Sequence, residues 1–219
     1  VARFLACTRM AASVSHDNLA RVRGAGVSDR VLWVATDPVD GQSLAARLAR
    51  TGPLHVNEAK PLLRAVLGAL AALHAKNLTH GAVRLENVIV GRSGTDLLPV
   101  LVDVGFDRLA SSTHGPGAML DPGIAKAMAP ERIRGEPASA ASDLYAFGVL
   151  AFELLTGKPP YVGASGPELL AAHVHAQLPS ASAAAPRGWV SQDLDEALAK
   201  LIAKDPNLRP KPATAAVAL

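Results

Sequence analysis

The sequence predicts an α+β fold that is mainly helical and carries two small β-hairpins. Alanine fills 42 of the 219 positions while aromatic residues make up only 4%, a balance that favours helices over a β-sandwich. Two segments, 57–76 and 142–156, repeat apolar residues at helical spacing. Two pairs of short apolar runs next to glycines have the character of strands. With 49% hydrophobic residues, the chain is long enough to form one large domain or two small lobes.

Taken in order, residues 2–15 read as a helix ending at Ser15-His16-Asp17-Asn18, a cluster of cap and turn residues. Leu19–Val22 and Val31–Ala35 are expected to pair as strands, with Gly24, Gly26 and Asp29 between them. Pro38-Val39-Asp40-Gly41 breaks that pattern, and Ser43 opens a helix through Arg50. In 57–76, Leu63, Val66, Leu67, Leu70 and Leu73 define one buried face. Val88–Val90 and Leu97–Val102, joined by Gly91-Arg92-Ser93-Gly94, predict a hairpin. Residues 109–128 hold Ser, Thr, Gly and Pro without periodicity, which is the composition of a long functional loop. In 142–156, Leu144, Phe147, Val149, Leu150, Phe152, Leu154 and Leu155 cover most of the helix circumference, so this helix belongs at the centre of the molecule. Weaker helices are expected at 166–176, 192–204 and 211–219.

Composition excludes several classes of function. The longest apolar stretch, Leu144–Leu155, is interrupted by Gly148 and Glu153 and is too short to span a bilayer. Cys7 is the only cysteine, so no internal disulfide and no cysteine-based zinc site can form, and a cytoplasmic setting is expected. The net charge of +3 is spread along the chain without a basic block or interleaved aromatics, which argues against nucleic acid as a partner. No repeat of solenoid length is present. The chain opens on Val1 without a charged-then-apolar leader, and further sequence is expected upstream.

Three polar clusters stand in apolar surroundings: His80 with Glu86 and Asn87, Asp103 with Gly105, and Glu131 with Asp143. Singly, each reads as turn or cap chemistry. Their order and spacing carry more. His80-Gly-Ala-Val-Arg-Leu-Glu-Asn87, a hairpin, Val102-Asp-Val-Gly105, Ala129-Pro-Glu131, Ser142-Asp-Leu-Tyr-Ala-Phe-Gly148 and Asp205-Pro-Asn-Leu-Arg-Pro210 follow one another, and this series resembles the Ser/Thr protein kinase fold.

The resemblance runs over nearly the whole chain. It implies a partial N-lobe at 1–36 (a helix plus two strands), a hinge at 37–41 and a mainly helical C-lobe at 42–219. It also implies that the Gly-rich loop and the strand lysine of a kinase N-lobe would lie upstream. Thr36 matches the gatekeeper, Asp37 and Val39 flank Pro38 in the hinge that would meet an adenine, and Ile89 would sit beneath that ring. Asn87 and Asp103 match the metal ligands, an amide oxygen and a carboxylate that suit Mg²⁺ bound with ATP. Arg84 stands where these kinases place a lysine near the transferred phosphate and keeps the positive charge.

The chemistry departs from the family at several of its matched positions. Ala82 occupies the place of the aspartate that accepts the substrate hydroxyl proton, and a methyl group cannot take a proton. Gly81 replaces the arginine that pairs with a phosphorylated activation loop. Cys7 falls where the N-lobe helix supplies a glutamate, and Val104 replaces a phenylalanine. The structural positions are kept: Asp143 matches an anchor for the backbone near His80, and Glu131 matches the partner of Arg209. His74, His173 and His175 are read as structural, and Ser111-Ser112-Thr113 as a solvated turn. The resemblance therefore implies a pseudokinase, a regulatory or scaffolding module with a protein partner and weak ATP and Mg²⁺ binding. A weakly active or atypical Ser/Thr kinase that transfers phosphate from ATP is the alternative. Its alanine and arginine usage points to a bacterial source.

Overall fold

The computed structural model describes residues 2–29, 31–93, 96–104 and 125–211. Gly105, the Ser111-Ser112-Thr113 cluster, the expected loop up to residue 124 and the expected last helix beyond Lys211 lie outside the described residues, as does the side chain of Cys7.

The chain opens with helix α1 (Ala2–Ala12), shorter than the expected 2–15. It leads to an antiparallel hairpin of β1 (Val22–Ser28) and β2 (Val31–Thr36), paired from Gly24↔Ala35 to Ser28↔Val31, with a shift of register between Gly24 and the Val22↔Thr36 pair. The first strand thus starts where the expected one ends. Leu19 and its neighbours are taken by the other sheet instead: Ala20 N donates to Leu101 O at 2.9 Å, and Leu101 N donates to Asn18 O at 2.9 Å. Gly24 and Gly26, expected in the connection, lie inside β1. A Cβ on Gly26 would stand 2.5 Å from Cζ2 of Trp33, so these glycines make room for an indole lying across the strand.

The second sheet has the order β3-β4-β5, all antiparallel, from β3 (Gln42–Ser43), β4 (Val88–Ser93) and β5 (Asp96–Leu101). Here Gly91, Arg92 and Ser93, expected in the turn, pair with Leu98, Leu97 and Asp96. Gly91 is required by a crossing and not by a turn. A Cβ there would lie 2.5 Å from the carbonyl oxygen of Asp40, where the segment after β2 passes over β4.

Helices supply the rest. Helix α2 (Leu44–Thr51) is capped by Ser43, whose hydroxyl accepts from Ala46 N at 3.1 Å. In α3 (Val56–His74), Leu62, Leu63, Val66, Leu67, Leu70 and Leu73 are all buried. After the short α4 (Pro130–Ile133) comes α5 (Ala140–Thr156), started by a reciprocal Ser139–Ser142 capping box and stopped by Gly157 in the left-handed region, φ 77°. Within α5 only Ala140, Ala141 and Glu153 escape full burial, as expected for the central helix. Gly148 lets α8 (Gln192–Leu201) and the residue after it approach, since a Cβ would stand 2.7 Å from Ile202. Between them lie helices α6 (Gly166–His175) and α7 (Ala181–Ala184). The core is continuous from α3 through α5 to α8, and the loop from Leu78 to Asn87 runs along it.

Candidate functional site

The loop between α3 and β4 is built around one carboxylate. Asp143, in the first turn of α5 and 2% exposed, accepts from His80 N and from Gly81 N, each at 2.8 Å, and from Nε2 of His74 at 2.9 Å. Both of its oxygens are used. Gly81 holds φ 81°, a left-handed conformation that glycine adopts without the cost a Cβ imposes.

His80 is fully buried. Its Nε2 donates to Val102 O at 2.9 Å while Nδ1 accepts from Ala82 N at 3.2 Å, which defines a neutral tautomer. Burial holds its pKa below the ordinary histidine value. Asn87 is also buried, and its Nδ2 donates to Ala82 O at 2.9 Å while its own carbonyl accepts from Val102 N at 2.9 Å. These bonds bring His80, Ala82, Asn87 and the residue preceding Asp103 into one network. With the amide nitrogen of Asn87 donating to Ala82 O, its Oδ1 is the acceptor end of the side chain. Asp103 itself sits at φ 64°, and Val104 beside it is buried. Arg84, partly buried, precedes the 3₁₀ turn Leu85–Asn87.

The residues matched to the nucleotide lie at the end of β2 and along β4. Thr36 is exposed, and Asp37 N donates to Arg21 O at 3.0 Å. The Asp37 carboxylate pairs with Nε and Nη2 of Arg23 at 2.5 and 2.8 Å, a contact that holds its pKa down. Val39 is half-buried, and Ile89 stands between Ser43 and Val100 in the sheet.

Glu131 and Arg209 meet in a buried, two-pronged ion pair at 2.6 and 2.8 Å. Arg209 also donates to the carbonyls of Ala203 and Ala141, each at 2.9 Å, and its guanidinium lies 4.9 Å from the ring centre of Tyr145. One side chain thus ties α4, the start of α5 and the segment after α8 together.

Several contacts have no counterpart in the sequence reading. His74 joins Asp143 from 69 residues away, and Arg23 finds Asp37 through the hairpin. His173 is fully buried beside Tyr145, ring nitrogen to hydroxyl at 2.9 Å, and Lys204 donates to its carbonyl at 2.6 Å. Pairing across β1 and β2 was the available signal for Arg23 and Asp37, because both lie at the end of the hairpin where Val22 faces Thr36.

A small, solvent-open cleft is bounded by residues 81–84, residues 127–129, Arg132 and the first turns of α5. Its walls are mostly alanine, valine and methionine. Among the described residues its charged groups are Arg84, Arg132 and Asp143, whose oxygens both accept hydrogen bonds.

The pattern of the protein kinase domain matches residues 3–218. The Ser/Thr protein kinase PkaA of Streptomyces coelicolor is 35% identical over 81% of this chain, and PrkC of Bacillus subtilis is 30% identical over 94%. The chain spans about a third of the length of these relatives, 33% and 31%. The crystal structure of the PknI kinase domain of Mycobacterium tuberculosis superposes with a TM-score of 0.76 at 29% identity, covering 99% of this chain and 77% of that one. With the network around His80 and Asp143, the Glu131–Arg209 pair and a family match along almost the whole length, the chain belongs to the protein kinase domain family.

Proposed function

We propose that this chain is a catalytically impaired kinase domain, a regulatory or scaffolding module that engages a protein partner and uses ATP with Mg²⁺ as a conformational ligand. The observation that carries this reading is the cleft at Ala82. Phosphoryl transfer to a hydroxyl is helped by a carboxylate that accepts its proton, and position 82 presents a methyl group. Asp143 is the carboxylate among the described residues lining the cleft, and both its oxygens already accept hydrogen bonds.

The nucleotide part of the proposal rests on Asn87 and Asp103. The Oδ1 of Asn87 and the Asp103 carboxylate suit a hard, oxygen-seeking cation, and Arg84 adds charge for a phosphate. Thr36, Asp37, Val39 and Ile89 would form the adenine side, with residues 1–36 and 42–219 as the two lobes about a hinge at 37–41. Bound Mg²⁺ would supply charge neutralisation for the phosphates. A cytoplasmic setting is proposed on the single cysteine; among the described residues no helix is long and apolar enough to cross a membrane.

A second reading, a weakly active Ser/Thr kinase, is favoured by the relatives, which are named Ser/Thr protein kinases. A positioned base contributes roughly 10²–10⁴-fold, so its loss slows transfer without forbidding it. The two readings part in an assay with γ-labelled ATP, Mg²⁺ and a mixed protein substrate. We expect no incorporation above background. Stoichiometric labelling that Asp103→Ala abolishes would establish the second reading instead.

A further inference from the structure

We propose that the outer edge of β1, with the groove between it and α1, is a docking site for an acidic, extended segment of a protein partner that adds to the hairpin as a third strand. The proposal goes beyond the reading above and holds whether or not the domain transfers phosphate.

Shape is the first argument. The groove measures about 130 Å³. From α1 it is lined by Leu5, Thr8, Arg9 and Ala12, the i, i+3, i+4, i+7 series of one helix face. From β1 it takes residues 22–25, four in a row. Side chains along a strand alternate between its two faces, so a groove that touches consecutive residues runs along the backbone edge. Two of these residues, Gly24 and Ala25, are too small to cover that edge. Among the described residues the main chain of β1 bonds to β2 and to no other segment. Such an edge is what an extended peptide completes, with main-chain bonds giving affinity and alternate side chains giving selectivity. The volume suits one apolar side chain of that peptide, since an apolar cavity of about 150 Å³ holds a benzene ring.

Charge is the second argument, and it selects the occupant. The lining carries Arg9 and Arg23 and no acid. The shift of register between Val22 and Gly24 leaves Arg23 outside the ladder, and its guanidinium turns to Asp37 through Nε and Nη2 at 2.5 and 2.8 Å. Arg9 is exposed and has no ion-pair partner among the described residues. Helix α1 contains no acidic residue that could neutralise it. Arg21, exposed just before β1, adds a third positive charge: the Asp37 carboxyl, held down first by its bond to Arg23, also feels Arg21. Cations along an open edge repel a basic strand and oppose pairing with a second copy of the same edge. A carboxylate-bearing strand meets them favourably. The outer edge of β2, Val-Leu-Trp-Val-Ala-Thr, has no charge with which to make that choice.

The test uses a fluorescein-labelled peptide, Ser-Glu-Val-Asp-Val-Glu-Ser, and its twin with lysine at the three acidic positions, titrated into the protein and followed by fluorescence anisotropy. The acidic peptide should bind at least ten-fold more tightly. Arg9→Glu should weaken it by ten-fold or more while the melting temperature stays near that of the parent, because Arg9 is exposed. Strand addition uses the N–H groups of one peptide edge only, every second residue. Two further acidic peptides therefore carry N-methyl groups, one on alternate main-chain nitrogens and the other on the remaining ones. One pattern should lose ten-fold or more, and the other should bind nearly as the parent peptide does. Absence of binding by the acidic peptide would overturn the proposal, as would equal binding of its lysine twin or indifference to Arg9→Glu. Equal effects of the two methylation patterns would overturn it as well, since they mark charge attraction without strand pairing. Phosphoryl transfer is read in the separate labelling assay. Transfer together with selective peptide binding would sink the impaired-kinase reading alone, and absence of both would sink the docking site alone.

Discussion

Asp143 fixes the loop that precedes Ala82 through three donors, two of them backbone N–H groups on consecutive residues. A carboxylate suits that task because it is acceptor-only and offers both oxygens. Asparagine has nearly the same shape but would turn an NH₂ toward one of those donors. Hydrogen bonds to charged groups contribute about 1.5–3 kcal/mol each, and a buried donor left unmet adds its own cost. Asp143→Asn is expected to destabilise the fold by about 3 kcal/mol, read from the shift in urea unfolding; a loss below about 1 kcal/mol would mean that the loop is held by other contacts. The anchor's position was legible in the sequence because its motif, Ser142-Asp143-Leu144-Tyr145, is local. The third donor, His74, was not, since no spacing rule links the end of one helix to the start of another 69 residues on. Glu131 and Arg209 are 78 residues apart, and only the family resemblance brought them together.

Strand ends show the same division at the scale of elements. The helices 44–51, 56–74 and 140–156 fall within two residues or so of where periodicity and caps put them, because a helix signals itself within its own sequence. Glycines in the two hairpins misled, because they were read as turn formers. Their role is clearance: Gly24 and Gly26 lie beneath Trp33, and Gly91 lies beneath the crossing segment at Asp40. That requirement comes from a neighbour and leaves no local trace. It also makes a testable difference. At Gly91 an added methyl meets a backbone carbonyl and not a movable side-chain end, so Gly91→Ala must push the crossing segment away from β4. Overpacking of this kind costs about 1–3 kcal/mol. Hydrogen exchange should show the pairing of Gln42 with Val90 loosened, with α5 still protected. Unchanged exchange at β3 would show that the crossing has slack.

Across the whole molecule, two buried histidines link stability to pH. His80 underlies the loop at Ala82, and His173 lies fully buried between Tyr145 and Tyr161, with ring centres 5.8 and 5.0 Å away. Both are neutral in the folded protein. Burial first, and the nearby charge of Lys204 second, bring the pKa of His173 from 6.5 to about 4, and burial lowers that of His80 as well. In the unfolded chain each takes up a proton near pH 6.5. Between that value and the lower folded one the unfolded state binds more protons, so stability falls as the pH falls. It should drop progressively from about pH 6.5 toward pH 4, with His173 accounting for about 3 kcal/mol of the loss and His80 adding to it in the same direction. Asp195, held down by bonds from Ser180 and Ser182, acts in the same direction at lower pH. His173→Gln can keep an acceptor for the Tyr145 hydroxyl but cannot titrate. In urea unfolding at half-unit intervals from pH 4 to 8, this variant should therefore lose part of the acid slope of the parent protein. Identical slopes for the two proteins would show that His173 does not carry the linkage.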